Sequence, residues 1–278
     1  MDYSPICDPS FDAPTELSKY ILQCCPLVIS FFLHIRFAFE IRGMYLRHYR
    51  LNSFYSLYLV ECVLSSLSIL GLIFLDKPTT YVTSLCPWFL ETLPEPSYLL
   101  NFFWLCDYFQ LAKFHSHAFI SLNRMSCVLF PLHFSFFWDR WLISSILFIV
   151  LAPFLVLWTV FFAKTKIVSF LGGFGLSYEH IFPWARLSLF KTVSFVLILL
   201  TVVFCSSVTI FCLLKTSKRM KGSDRNLCLT TVVSTFEVVG FLLVQLFFVV
   251  SPFRDAIDLE YDNWIQLQSF VYDMVLFL

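Results

Sequence analysis

The sequence predicts an all-α membrane protein in which seven transmembrane helices form one bundle. The first observation is composition, because 59% of the 278 residues are hydrophobic and only 14% are charged. Soluble domains average about 45–50% apolar and about 25% charged residues. So much apolar surface argues against a soluble enzyme. The second observation is a series of apolar runs, each near the roughly 20 helical residues needed to cross about 30 Å of hydrocarbon.

These runs are separated by short polar breaks and are numbered here as spans one to seven. In chain order, they cover residues 20–38, 54–75, 99–130, 141–162, 187–214, 227–250 and 264–278. The last span stops at Leu278 and reaches only about 22 Å at 1.5 Å per residue. We therefore expect a single domain over residues 1–278, in which the seventh helix is short or truncated.

Lysine and arginine residues in the breaks predict the orientation, since short cytoplasmic loops carry an excess of basic residues. The breaks after spans one, three and five, together with Arg124 near the end of span three, hold ten Lys and Arg residues. The remaining breaks, together with Lys191 at the start of span five, hold seven. Acidic residues cluster before spans one and seven. We therefore expect the N-terminus outside and the three more basic loops in the cytoplasm. Lys164 and Lys166 fit this orientation least well.

Ionisable side chains inside predicted spans mark functional sites, because placing them in hydrocarbon is costly. The helical rise puts Glu61, Lys113 and Glu237 about 12–16 Å above the cytoplasmic ends of their spans. We expect Lys113 to lie inside the bundle and to pair with Glu61, Glu237 or both. Such a layer is either a set of buried polar contacts that merely fixes the register of the helices, or a switch that rearranges when the protein is activated. Coincidental placement is the third interpretation.

Asp107 lies higher in span three, about 25 Å from Arg124 by the same rise. An acid near the outer mouth that is ringed by aromatic residues can hold a ligand amine or hydroxyl. The candidate ligand-binding residues are therefore Phe103, Trp104, Asp107 and Gln110. The competing interpretation is an interfacial carboxylate that faces water within an aromatic belt.

Catalytic, nucleotide-binding and metal-binding motifs are missing from the sequence. It holds no Gly-rich phosphate loop, GxSxG or HExxH, and its ten Cys form no CxxC pair. His115 and His117 point apart on a helix, which argues against a shared metal. We therefore expect neither enzyme activity nor a cofactor. A net charge of zero gives no electrostatic reason to expect nucleic-acid binding.

Three stretches of the chain resemble a known family. Span three ends in Leu-Asn-Arg-Met at residues 122–125, and a Phe-Pro break follows at residues 130–131. Residues 52–58 open span two, and residues 223–231 lead from a basic loop into span six. These stretches resemble the nematode serpentine receptor class gamma (Srg) chemoreceptors and their relatives in the same superfamily. The resemblance extends from span one to the start of span seven.

The resemblance implies a seven-helix G-protein-coupled receptor in the plasma membrane of sensory neurons. It also implies a small-molecule odorant or pheromone as ligand and a heterotrimeric G protein as partner. Arg124 then becomes the arginine at the cytoplasmic end of span three, which holds the inactive state or contacts the G protein. The preceding residue is Asn123, so the acid–arginine lock of rhodopsin-like receptors has no acid here. The alternative for Arg124 is an ordinary arginine that snorkels to the membrane surface.

Basic residues of the predicted cytoplasmic face are the candidates for G-protein coupling. They are Arg124, Arg140, Lys215, Lys218 and Arg219. The basic loop that contains the last three also fits a charge cluster facing anionic lipid, at about 1 kcal/mol per basic residue. Both roles can coexist.

Cysteine positions argue against the disulfide that joins span three to the second outer loop in rhodopsin-like receptors. Cys106 lies near the top of span three, but residues 164–188 contain no Cys. Cys7 and Cys86 are both predicted outside. A Cys7–Cys86 disulfide is therefore the candidate alternative.

A second class of function remains open at this point, namely an ion or solute transporter or channel in the lipid bilayer. Glu61, Lys113 and Glu237 would then line a proton or ion path. Against it stand the lack of a visible inverted repeat and the presence of only seven Gly residues, since transporters use interrupted helices. A chemosensory receptor is the leading interpretation.

Overall fold

A computed structural model describes residues 12–47, 53–82, 84–92, 99–170, 173–179, 187–216 and 239–240. Its helices are α1 (Ala13–Arg47), α2 (Ser53–Gly71), α3 (Lys77–Tyr81), α4 (Leu85–Thr92), α5 (Leu105–Leu129), α6 (Phe134–Phe161) and α7 (Leu187–Thr216). A π-helical turn, Leu72–Asp76, joins α2 to α3, and a 3-10 turn, Leu99–Trp104, leads into α5. The two strands are β1 (Thr165–Phe170) and β2 (Gly173–Tyr178). Predicted span seven and nearly all of span six, including Glu237, lie outside the described residues.

Helical segments long and apolar enough to cross a membrane dominate this part of the chain. Four are found among the described residues: Ala13–Gly43, Ser53–Tyr81, Phe134–Phe161 and Leu187–Cys212. α5 is more polar than these, but α2, α6 and α7 all pack against it. Its polar side chains are tolerated because protein, not lipid, surrounds the central helix. The predicted helical membrane bundle is confirmed.

Apolar packing around α5 holds the bundle together. Phe114 of α5 is fully buried, and its ring meets that of Phe195 of α7 edge to face at 5.2 Å. Large apolar side chains such as Leu22 and Leu155 instead point outward. Because lipid is as apolar as leucine, close packing and interhelical hydrogen bonds associate these helices, whereas removal of side chains from water contributes little.

The helix formed by α2 and α3 departs from α-helical bonding just before Pro78. Proline has no backbone N–H to donate, and the N–H of Lys77 bonds to the carbonyl of Leu72, five residues back. π-Helical turns of this kind are rare and occur frequently at functional sites. The turn ends at Asp76, whose side chain is exposed, and is followed by Lys77, whose side chain is buried.

A close approach of α2 and α5 occurs at Gly71. A Cβ atom built there would lie 3.3 Å from Cys106 Cα and 3.4 Å from its Sγ. We expect Gly71→Val to lower the thermal unfolding midpoint of the purified protein, at an overpacking cost of about 1–3 kcal/mol. Gly43→Val is the matched control, since nothing lies within 4 Å of a Cβ at Gly43. Equal midpoints for the two variants would contradict the close approach.

An antiparallel hairpin of β1 and β2 stands between α6 and α7, where the sequence predicted no strand. Thr165 pairs with Tyr178, and Phe170 pairs with Gly173. Side chains alternate along β1, so that Thr165 is buried and Lys164 and Lys166 are exposed. Lys164 and Lys166 were the basic residues that fitted the predicted orientation least well. The structure places both on the solvent-exposed face of a folded loop. The end of the bundle beneath this hairpin is called the hairpin end, and the opposite end is called the Arg124 end.

Candidate functional site

An ion pair at the hairpin end joins α5 to α7. Asp107 lies in the first turn of α5, and Lys191 lies one turn into α7. The Lys191 Nζ atom is 2.6 Å from Asp107 Oδ1, and the two side chains are only 12% and 24% exposed. A pair so shielded from water is strongly coupled, and removal of one partner leaves an uncompensated charge. The pair therefore ties the helices together through a contact that depends on charge.

A second acid–lysine pair, at the end of the π-helical turn, lies next to the first. The Asp76 carboxylate interacts electrostatically with Asp107 and Lys191 across the helix interfaces. Lys77 also interacts electrostatically with Asp76, and its Nζ donates to Gln23 Oε1 at 3.0 Å and lies 6.0 Å from the Tyr81 ring centroid. Lys77 is 2% exposed, whereas Asp76 is exposed.

Asn101 anchors the hairpin to the top of α5. Its Nδ2 donates to the carbonyl oxygens of Phe161 at 3.0 Å and Ala163 at 2.9 Å. Its Oδ1 accepts a hydrogen bond from the Thr165 hydroxyl at 2.7 Å. Asn101 and Thr165 are both buried. The Asn101 side chain therefore supplies hydrogen-bond partners both to carbonyl groups at the end of α6 and to the first residue of β1.

Aromatic residues complete this anchor. Trp104 Nε1 donates to Thr165 Oγ1 at 3.3 Å, and its ring meets that of Tyr178 edge to face at 6.0 Å. The Tyr178 hydroxyl accepts a hydrogen bond from the N–H of Leu187, the first residue of α7. Polar and aromatic contacts thus hold the hairpin between span three and span five. Cys106, which is buried, has a free thiol.

The predicted ligand-binding residues are brought to one end of the bundle, but two are engaged within the protein. Trp104 contacts the hairpin, and Asp107 pairs with Lys191. Phe103 is half-buried, and Gln110 is buried one turn below Asp107. Sequence reasoning missed Asp76 and treated Lys191 only as a loop charge. The signals that point to them are an Asp-Lys-Pro sequence at the end of span two and a lysine inside an apolar run.

The predicted polar layer contains Glu61 and Lys113, both of which are buried. Glu61 Oε1 accepts a hydrogen bond from the Ser65 hydroxyl at 2.9 Å and lies 3.9 Å from His117 Nε2. Lys113 lies one turn from His117 along α5, on the same helix face. The structure thus adds His117 to the layer. The pairing of Lys113 with either acid stays a prediction, and Glu237 lies outside the described residues.

Arg124 lies in the interface between α2 and α5, where its side chain is buried. Its guanidinium is 5.4 Å from the Phe54 ring centroid, donates a hydrogen bond to the Tyr58 hydroxyl and interacts electrostatically with Glu61. An arginine that merely snorkels to the membrane surface would be exposed. The contacts instead tie the end of α5 to α2.

Asn123, the residue before Arg124, takes part in a second polar network at this end. Its Nδ2 donates to the Ser53 hydroxyl at the start of α2 at 2.8 Å. Its carbonyl accepts from the Ser126 hydroxyl, which in turn accepts from Trp138 Nε1 of α6 at 2.7 Å. The Asn-Arg pair therefore fastens α5 to α2, and Asn123 also links α5 to α6 through Ser126.

The remaining predicted coupling residues are exposed or lie outside the described residues. Arg140 is exposed, with its guanidinium 5.9 Å from the Phe136 ring centroid, and Lys215 is also exposed. Lys218 and Arg219 lie beyond α7, outside the described part of the chain. Cys7 and the side chain of Cys86 are likewise not described, so their disulfide stays a prediction. Within the described residues, no group of three or more His, Cys, Asp or Glu could hold a metal ion.

Comparison with known proteins gives one consistent result. The model of the Srg family chemoreceptors matches residues 20–278. Serpentine receptor class gamma-5 of Caenorhabditis elegans is 30% identical over 271 residues, which cover 97% of this chain and 83% of that protein. Class gamma-13 of the same organism is 31% identical over 276 residues, which cover 98% of this chain and 80% of that protein. Class gamma-3 of the same organism is 34% identical over 229 residues, which cover 82% of this chain and 68% of that protein. The chain therefore belongs to the Srg family of serpentine chemoreceptors.

Proposed function

We propose that this chain is a G-protein-coupled receptor for a small-molecule odorant or pheromone in the plasma membrane. The N-terminus and the hairpin end face outward, and the Arg124 end faces the cytoplasm. The basic residues of the loops and the chemoreceptor family support this orientation and role. The relatives that the chain matches are named as receptors, which favours the receptor over the transporter alternative.

The observation that carries the proposal is the Asp107–Lys191 pair beneath the hairpin. In a site of low dielectric, such a pair is stable only while both charges are matched. A polar or charged small molecule that enters beside it competes for one partner. The ligand then acts on α5 and α7 together, and it shifts the receptor toward whichever helix arrangement it binds more tightly.

α5 connects the ligand site to the Arg124 end. The helix is unbroken from Asp107 to Arg124, a distance of about 25 Å at 1.5 Å per residue. The polar layer with Glu61 and Lys113 lies between these two points, and Glu61 Oε1 of α2 approaches His117 Nε2 of α5 at 3.9 Å. We propose that this layer holds the register of α2 against α5 in the resting state, and that Glu237 joins it.

The burial of Arg124 supports the first of its two predicted roles, which is to hold the inactive state. Its contacts with Phe54 and Tyr58 occupy the guanidinium at the α2–α5 interface. We propose that Arg140 and the basic residues Lys215, Lys218 and Arg219 supply the surface that meets the G protein. Arg124 becomes available to the partner only when α5 moves relative to α2.

Basal nucleotide exchange tests this proposal without knowledge of the ligand. Cells carrying an N-terminal epitope are stained without permeabilisation, and exchange on co-expressed G proteins is measured in the cells that stain. We expect surface staining and a rise of about tenfold in basal exchange for Arg124→Gln, since a charge-assisted contact of the resting state is lost. Arg42→Gln is the control, because Arg42 is an exposed arginine near the same end of the bundle.

Two results would contradict the proposal. Staining only after permeabilisation would overturn the orientation. Basal exchange that is the same in Arg124→Gln, Arg42→Gln and the unaltered chain would remove the resting-state role of Arg124.

A further inference from the structure

We propose that the ligand of this receptor is an uncharged small molecule with a hydroxyl or carbonyl group, and that this group hydrogen-bonds to Gln110 and Ser68 inside the bundle. The inference rests on the proposed receptor function and names the ligand class of its site. It makes Gln110, one helical turn below the Asp107–Lys191 pair, the hydrogen-bonding partner of the ligand, and it adds Ser68 of α2 to the site.

Gln110 and Ser68 are buried polar residues whose side chains have no partner in the described part of the chain. Gln110 is 6% exposed, yet its amide makes no hydrogen bond to another described residue. The Ser68 side chain is 0% exposed, and its hydroxyl also has no hydrogen-bond partner there. Buried polar groups without partners destabilise a fold and are rare. A ligand that supplies the missing hydrogen bonds accounts for both.

The position of Gln110 on α5 turns its side chain toward α7. It lies one turn below Asp107, which pairs with Lys191 of α7 at 2.6 Å. It lies one turn above Phe114, whose ring meets that of Phe195 of α7 at 5.2 Å. Residues three or four positions apart share a helix face. Gln110 therefore lies between two direct contacts of α5 with α7.

Ser68 reaches the same depth from α2, which runs antiparallel to α5. The close approach of Gly71 to Cys106 fixes the register of the two helices. Ser68 is three residues before Gly71, and Gln110 is four residues after Cys106, so both lie about 4–6 Å below that contact and on the faces that form it. The two groups do not bond to each other. One ligand oxygen between them satisfies both.

The charges around this junction of α2, α5 and α7 favour an uncharged ligand. Asp107 is already neutralised by Lys191. Lys113, one turn below Gln110, is buried and takes part in contacts within the protein. A charge on the ligand would be removed from water without a counterion, which is costly in an interior of low dielectric. A hydroxyl or carbonyl group needs only hydrogen bonds.

Apolar side chains surround the junction. Leu72 of α2, Leu111 of α5 and Phe195 of α7 belong to one buried cluster. Sites for small molecules are mostly apolar, and a small number of polar groups fix the orientation of the ligand. The ligand therefore combines one hydrogen-bonding group with an apolar body.

Substitution of Gln110 tests the site without a ligand. The full chain is purified in lipid nanodiscs, and its thermal midpoint is followed with a thiol-reactive dye that reports exposure of the buried cysteines. We expect Gln110→Leu to raise the midpoint by about 2–4 °C, because an apolar side chain of similar volume replaces an amide without a partner. Gln23→Leu is the matched control and should lower the midpoint, since Gln23 hydrogen-bonds to Lys77 and Tyr81.

Probes that share a cyclohexane ring and differ in their polar group test the ligand class. They are cyclohexanol, cyclohexanone, cyclohexylamine, cyclohexanecarboxylate and methylcyclohexane. We expect the alcohol and the ketone to raise the midpoint of the unaltered chain in a saturable manner, and the other three to leave it unchanged. Gln110→Leu should lose this shift, which separates binding at the site from partitioning into lipid. Ser68→Ala should weaken binding about tenfold, as for loss of one hydrogen bond.

Several outcomes would overturn the inference. These are a lowered midpoint of ligand-free Gln110→Leu, no midpoint shift with the alcohol or the ketone, a larger shift with a charged probe, and equal shifts in Gln110→Leu and the unaltered chain. If Gln110→Leu does not fold, Ser68→Ala and the probe series on the unaltered chain decide. Failure of the probes leaves the proposed receptor function standing, because basal exchange with Arg124→Gln measures that function without a ligand.

Discussion

Lys191→Met is expected to lower the free energy of unfolding by about 3–5 kcal/mol, because it leaves the Asp107 carboxylate in a shielded site without its partner. Asp107→Leu is expected to cost a similar amount for the same reason. The double variant should be more stable than either single variant, since an apolar pair of similar volume is often as stable as a buried ion pair. The measurement is a double-mutant cycle on thermal or denaturant unfolding in nanodiscs.

Lys215→Met is the control for this cycle. Lys215 lies on the same helix as Lys191, but its side chain is exposed, so its removal should change stability by less than about 0.5 kcal/mol. Strictly additive costs in the double variant would show that the two charges do not interact. The Asp107–Lys191 pair could then not serve as the coupling between α5 and α7.

Asn101→Leu is expected to release the hairpin from the top of α5. The substitution removes the donor to the carbonyls of Phe161 and Ala163 and the acceptor of the Thr165 hydroxyl, which keeps only its bond from Trp104. Each unsatisfied buried group costs about 1–3 kcal/mol. We expect amide hydrogen exchange of β1 and β2 to become about ten- to a hundredfold faster, since local opening sets the exchange rate. The measurement is hydrogen exchange followed by mass spectrometry of hairpin peptides.

Asn123→Leu is the matched control for this prediction. It also removes a buried asparagine, but at the opposite end of α5, where Asn123 donates a hydrogen bond to Ser53. Its effect should be confined to the start of α2 and the end of α5. Equal acceleration of hairpin exchange in both variants would indicate general destabilisation and would refute the specific anchor.

Much of the helical architecture follows from local properties of the sequence. The apolar run predicted at residues 54–75 lies within the continuous helical segment Ser53–Tyr81, and the run at 141–162 overlaps α6. Length and hydropathy predict such helices because any long apolar segment must satisfy its own backbone hydrogen bonds in lipid. Lys113 was expected to lie inside the bundle, and its side chain on α5 is buried.

The contacts at the hairpin end were predicted only in part. Asp107 and Trp104 were selected as candidate ligand-binding residues because an acid among aromatic residues is unusual in an apolar run. Lys191 and Asp76 were missed, because nothing local shows which loop-end charge will meet which helix. The hairpin was missed for a similar reason. Its strands are short, and Lys164 and Lys166 make β1 look like a solvated loop.

The sequence by itself determined that this protein is a helical membrane receptor of the Srg family, with a polar layer in its spans and an acid near one end. Only the tertiary structure decided the partners. Lys191 meets Asp107, Asn101 meets Thr165 across 64 residues of chain, and Arg124 is buried against α2. The physical reason is the distance along the chain over which each interaction acts. Hydropathy and helical period act between residues a few positions apart, whereas the pairing of charges and amides depends on how separate helices pack.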